Sequence, residues 1–169
     1  MSDPARPDVW ICDFTDADDR AAFVHLMAEF AAEPVSASPQ LDAAHFGRVA
    51  DDLARRPGTL VLLAARAESE ETEGVLLAFE GYSSFARAAL FNIHDVHVTP
   101  AARGVGLGTA LVDALCEIGR GHRHAKLTLE VAASNTGAIR LYRRLGFTGL
   151  DGVPAAAPAG ATYFATRKL

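Results

Sequence analysis

Arg103, Gly104, Gly106 and Gly108 stand within six residues of one another. An alternating apolar stretch stops at Pro100 just before them, and an apolar pattern of helical period starts at once after them. Glycines let the backbone take positive φ and leave room for a ligand to approach the chain. The first-turn N–H groups of a following helix have no partner within it, so they suit an anion such as a phosphate. The chemistry this spacing predicts is recognition of a phosphorylated ligand. A P-loop would need Gly-Lys-Ser/Thr, and no lysine follows these glycines. A dinucleotide turn, G-x-G-x-x-G, would need glycine where Thr109 stands. A G-x-G-x-G methyltransferase turn fits the glycines, and Glu130 stands where a ribose-binding acid would. Against it, an arginine rather than an acid precedes the glycines, the turn follows four expected strands, and only about sixty residues come after it.

Other clusters carry less. His122 and His124 lie in a polar connection without nearby cysteine or carboxylate partners, which is poor metal chemistry, so a solvated loop and no metal are expected. A chain of 169 residues points to one domain, residues 1–169, with a full core. The formal charge of −5 argues against a general nucleic-acid binder. Cys12 and Cys116 each sit inside an apolar pattern and read as buried free thiols. The first ten residues lack the apolar segment of a signal peptide, and no apolar run has the length of a membrane span, so a cytoplasmic protein without membrane contact is expected.

The elements that must position the turn follow from periodicity. A strand is expected at 9–13, then a helix to about 33 with Thr15 as its cap, Asp18 in its first turn, and Phe23, Met27 and Phe30 inward. After a loop, Ser38 and Pro39 are expected to start a second helix, with Phe46, Val49 and Leu53 as its buried stripe. A strand at 59–66 and another from 74 to 79 flank an acidic turn, 68–73, expected to be solvated; 81–84 reads as a bulge or bend. The central strand, 88–98, leads into the glycine turn and a third helix, 106–119, with Leu107, Leu111, Leu115 and Ile118 inward. A strand at 127–132, a fourth helix at 135–145 ended by Gly146, a short strand at 147–150, a loop at 151–160 and a last strand from 162 complete the chain. The order β-α-α-β-β-β-α-β-α-β-β describes an α/β sandwich around a mixed sheet.

Arg103-Gly-Val-Gly106-Leu-Gly108 resembles the Arg/Gln-x-x-Gly-x-Gly/Ala signature of the GNAT superfamily of N-acetyltransferases. The resemblance continues through 135–147, Asn-Thr-Gly-Ala-Ile-Arg-Leu-Tyr-Arg-Arg-Leu-Gly-Phe, which is similar to the family's second conserved helix. It extends over nearly the whole chain. Within the family, 81–85 and 92–96 look closest to the diamine (spermidine/spermine) acetyltransferase-like branch.

The resemblance implies acetyl-CoA as cosubstrate, with its pyrophosphate on the backbone of Arg103, Gly104, Val105, Gly106, Leu107, Gly108 and Thr109. It implies a pantetheine arm pairing with the backbone of Val96, His97 and Val98, although the valines read equally well as core. Tyr142 corresponds to the family's tyrosine near the thiol, able to protonate the leaving thiolate, and is otherwise a core tyrosine on its helix. Asn135 either caps the fourth helix or bonds the arm. The acceptor, a primary amine of a small molecule or peptide, needs a base for direct transfer. Asp95 is the first candidate and His94 the second. An acidic pair holds these two positions in the resembling branch, and here the first is histidine, which weakens the case for a polyamine. Strand alternation sets His94 and Asp95 on opposite faces unless the strand bulges there. Arg140, Arg143 and Arg144 read as an exposed, solvated face. Dimers are common in the family, so a homodimer is one candidate assembly. A non-catalytic acyl-CoA-binding module on the same fold, and less strongly a methyltransferase, are the alternatives.

Overall fold

The computed structural model describes residues 6–34, 41–67, 69–152 and 160–169. Among the described residues six strands and four α-helices follow one another as β1 Asp8–Ile11, α1 Ala17–Ala32, α2 Ala43–Arg55, β2 Thr59–Ala65, β3 Gly74–Ser83, β4 Ala88–Val98, α3 Leu107–Gly121, β5 Lys126–Ala132, α4 Thr136–Arg144 and β6 Thr162–Lys168. The strands form one sheet in chain order. Every neighbouring pair is antiparallel except β4 and β5, which are parallel because α3 carries the chain back across the sheet between them. A mainly antiparallel sheet with the glycine turn after its fourth strand rules out the doubly wound methyltransferase reading of that turn.

Both faces are covered. On one, Phe23, Leu26 and Met27 of α1 and Phe46, Ala50 and Leu53 of α2 pack on Val61, Leu63, Val75 and Leu77. On the other, Leu107, Leu111 and Leu115 of α3 and Ile139 and Tyr142 of α4 pack on Leu62, Leu76, Phe91, Ile93, Leu127 and Leu129. Burial from both sides explains why β2 and the first half of β3 are apolar without alternation.

Several local expectations give way to stronger interactions. Asp16, not Thr15, caps α1, accepting from the N–H groups of Asp18 and Asp19. Thr15 is already held by Asp13, whose Oδ1 accepts from both its N–H and its hydroxyl. Ser38 and Pro39 lie outside the described residues, and α2 is capped by Asp42 through the N–H of His45. The segment 147–150 makes a single bridge, Thr148 to Thr166, and Gly149 at φ 93° turns it away from a ladder. Glu73, expected on a solvated turn, is buried and ion-paired to Arg66, whose hydrogen bonds hold its carboxyl below the usual carboxylate range. His124, expected in a solvated loop, is buried, stacked on Phe91 at 4.3 Å and paired with Glu80 at 3.1 Å. Cys12 and Cys116 are free and buried. Among the described residues no helix is long and apolar enough to cross a membrane.

Candidate functional site

The site is built around the second half of β4. On one side β4 pairs with β5 only through Phe91↔Leu127, Asn92↔Thr128 and Ile93↔Leu129. Beyond Ile93 the two parallel strands part, so among the described residues 94–98 have no strand partner along that edge. On the other side β4 stays paired with β3, but Ala78 faces Ile93 and Leu77 faces Asp95, leaving His94 as an extra residue. This β-bulge resets the alternation. Ile93, Val96 and Val98 belong to the α3/α4 side, while His94 and Asp95 come to a common face, that of α1. His94 Nδ1 lies 3.0 Å from Asp95 Oδ2, and the His94 ring meets Phe79 edge-on at 5.5 Å. The bulge is the condition under which the two side chains were expected to share a face. His94 is open to solvent and Asp95 is largely enclosed, with side-chain exposures of 61% and 21%.

The glycine turn lies where β4 gives way to α3. Gly104 and Gly106 have φ of 83° and 97°, and a Cβ at either would meet nothing within 4 Å. Gly106 stands at the N-cap and offers no side chain, so no capping group covers the first N–H groups of α3. Val105 is exposed, whereas the Leu107 side chain is buried in the core, leaving only its backbone to offer. Gly108 is packed closely on Leu141 of α4, and Arg144 reaches Thr109 Oγ1 at 3.5 Å, so the start of α3 and the body of α4 are neighbours. Arg143 bonds the Leu150 carbonyl instead of standing free in solvent.

Two residues of the turn and edge have side chains engaged with other elements, which leaves only their backbone for a ligand. Arg103 donates from Nε to the Val98 carbonyl at 3.0 Å and is ion-paired through Nη2 with Glu33. His97 is buried, with Nε2 3.1 Å from Glu29, Nδ1 3.5 Å from Glu33, and its ring stacked on Phe30. Its side chain serves the contact with α1. Asn135 caps α4, its Oδ1 accepting from the Ala138 N–H at 3.1 Å.

Tyr142 is buried on α4 with its ring 5.4 Å from that of Phe147. Burial first, and the charge of Asp95 second, push its phenol up to about 12. Its hydroxyl makes no hydrogen bond to a described residue. The phenol therefore stays protonated at neutral pH, inside the field of the carboxylate at the bulge.

Glu130 is a residue that sequence reasoning considered only for a ribose. Asn92 Nδ2 donates to Thr128 Oγ1 at 3.0 Å, which ties these two side chains to one face of the sheet. Glu130 is two residues further along β5 and so shares that face, opposite the exposed Phe164 of β6. It stands across the parting strands from His94 and Asp95. The period-two pattern 128–130 was the available signal, but only the β4–β5 register gives it meaning. A cavity of about 410 Å³ near Cys12, Phe14, Leu53, Arg56 and Leu60 shares no residue with this group.

A mixed sheet whose parallel pair parts beside a glycine turn defines an acetyltransferase-type α/β fold. The profile of the acetyltransferase (GNAT) family matches residues 21–147, and the chain belongs to that family. It is 31% identical over 111 residues to glucosamine 6-phosphate N-acetyltransferase of Trypanosoma brucei brucei, covering 65% of this chain and 73% of that one. It is 37% identical over 81 residues to streptothricin acetyltransferase of Streptomyces lavendulae, covering 47% and 43%. Among solved structures, the NatC complex bound to Gag peptide and CoA shares the fold, with a TM-score of 0.71 at 14% identity over 97% of this chain and 99% of that one. The chain spans less than half the length of the first curated relatives it matches.

Proposed function

We propose that the protein is an N-acetyltransferase that transfers acetyl from acetyl-CoA to a primary amine of a small molecule or peptide. The observation that carries the reading is the parting of β4 and β5 after Ile93↔Leu129, which leaves the edge 94–98 open between the glycine turn and the His94–Asp95 bulge. The open space in front of Gly104 and Gly106 and the uncapped start of α3 fit a pyrophosphate. The β4 edge offers backbone groups to an extended pantetheine arm, short of the Val98 carbonyl that Arg103 already takes. Acetyl-CoA, when bound, supplies an activated acyl group as a thioester.

The chain's own residues then divide the proton work. Asp95, oriented by His94 at 3.0 Å, takes the proton that an ammonium acceptor must lose, directly or through water. Tyr142, held protonated by its surroundings, gives a proton to the departing sulfur. Relatives named for glucosamine 6-phosphate and streptothricin, and a fold neighbour solved with a peptide, support an amine acceptor of either size. A diamine is one member of that class, and Glu130, on the same strand face as Thr128, is a second carboxylate in β5 where position 94 has histidine.

The test is acetyl-CoA turnover across an amine panel, read as release of the CoA thiol. Saturable, amine-dependent release is expected. Binding of CoA without turnover on any amine would instead indicate a non-catalytic module. A protein that neither binds acetyl-CoA nor is thermally stabilised by CoA would sink the proposal.

A further inference from the structure

The glycine turn and the end of α1 are about seventy residues apart in sequence, yet a short line of charges joins them. His97, 3% exposed, stands between Glu29 of α1 and Glu33, the C-cap of that helix, with its ring on Phe30. The Glu33 oxygen that faces His97 Nδ1 also takes Arg103 Nη2. Arg103 closes the line by donating from Nε to the Val98 carbonyl at 3.0 Å. We infer that Glu33 is a positioning residue for the glycine turn, holding Arg103 as a tether between α1 and the turn instead of leaving that guanidinium for a phosphate. This rests on the reading of the turn as the CoA site.

Three features carry the inference. A guanidinium is a planar fork, and Arg103 spends one branch on the Val98 carbonyl and the other on Glu33, which fixes the plane of the fork. Arg103 ends the 3₁₀ turn Pro100–Ala102 and immediately precedes Gly104, at φ 83°, so fixing its side chain fixes where the turn begins. Glu33 is itself seated: its side chain is 18% exposed and its second neighbour, His97, is buried against Phe30. The tether therefore runs from a buried anchor to the first residue of the turn. Through it the last turn of α1 is read at the cofactor side of the molecule.

The opposite arrangement would have Glu33 merely parking Arg103 until a phosphate takes the guanidinium away. The two differ in sign. If Glu33 is a tether, Glu33→Gln weakens CoA binding; if it is a competitor, the same change tightens it. The experiment is calorimetric titration of the full chain with CoA, for the unaltered protein, Glu33→Gln, Arg103→Lys and the double variant, with Tm measured without CoA. We expect about a fivefold weakening for each single change, the scale of a modest coupling between sites. The double variant should bind no more weakly than the weaker single, because both changes cut the same line. Arg103→Lys keeps the charge but cannot span both partners, so its weakening reports geometry and not charge. Ligand-free Tm should stay close to that of the unaltered chain, because Glu33→Gln keeps the shape of the side chain and Arg103 is half exposed. Tighter or unchanged CoA binding in Glu33→Gln, or losses that add in the double variant, would overturn the tether. No CoA binding by the unaltered protein would overturn the CoA-site reading, and the tether with it.

Discussion

His94 Nδ1 and Asp95 Oδ2 are 3.0 Å apart although the two residues are consecutive in a β-strand, where neighbours ordinarily face away from each other. The extra residue at the β4 bulge removes that alternation and gives the pair one face. The imidazole is outermost and the carboxylate inner, so the ring can orient or relay while the carboxylate stays enclosed.

The pair should therefore be separable by mutation. Asp95→Asn should lower kcat about 100-fold, the scale of a positioned general base, while leaving CoA-induced thermal stabilisation intact. His94→Ala should cost less, since it removes an orienting partner. A larger loss in His94→Ala than in Asp95→Asn, measured by steady-state kinetics on one amine, would reverse the two roles.

Tyr142→Phe removes the proton but keeps the buried ring. Turnover should fall with little change in acetyl-CoA affinity, and an unaltered rate would remove Tyr142 as an acid. Its phenol is raised to about 12 from 10, so below pH 10 it is protonated in the folded and unfolded chain alike. Between 10 and 12 only the unfolded chain releases that proton, so stability falls as pH rises through that window. Tyr142→Phe should flatten this alkaline loss in a Tm-against-pH series.

Gly106 has φ 97° and open space where a Cβ would sit. Gly106→Ala forces a side chain into the left-handed region, costing about 1–2 kcal/mol, and fills the approach to the first N–H groups of α3. CoA binding should weaken more than the drop in Tm alone accounts for. Equal effects on both would mean that the approach is not used.

Glu73 is buried beneath Arg66, and its backbone carbonyl accepts from Thr99 N–H at 2.9 Å, next to the end of β4. Its carboxyl is held below the ordinary range by hydrogen bonds from Arg66. The pair's contribution is present above the usual carboxylate pKa and is lost as pH falls through the depressed one. Glu73→Gln should lower Tm at neutral pH, with the difference from the unaltered protein shrinking in acid.

The elements of the fold were legible where periodicity or a breaker residue is strong: β4 was found at its observed ends, and Gly146 marked the close of α4. Caps were less legible, because Thr15 looks as good a cap as Asp16 until Asp13 is seen to hold it. The site divided in the same way. Backbone roles at Gly104 and Gly106 follow from residue type alone. The facing of His94, Asp95 and Glu130 depends on a bulge and on one parallel register, which involve partners dozens of residues away. The role of Arg103 was the least legible, because its partner Glu33 lies at the end of a helix with no local link to the turn.

Among the described residues three register pairs join β4 to β5, extended by the Ala125 N–H to the Ala89 carbonyl, and they are the seam between a four-stranded plate and a two-stranded one. A ligand strand laid along 94–98 would act as a spacer at that seam and so as part of the molecule's mechanical frame. Amide hydrogens of β5 and β6 should then exchange faster than those of β2 and β3 in the free protein, and CoA should slow the first group more than the second. The cosubstrate would set how stiffly the two plates are held, before any acceptor arrives.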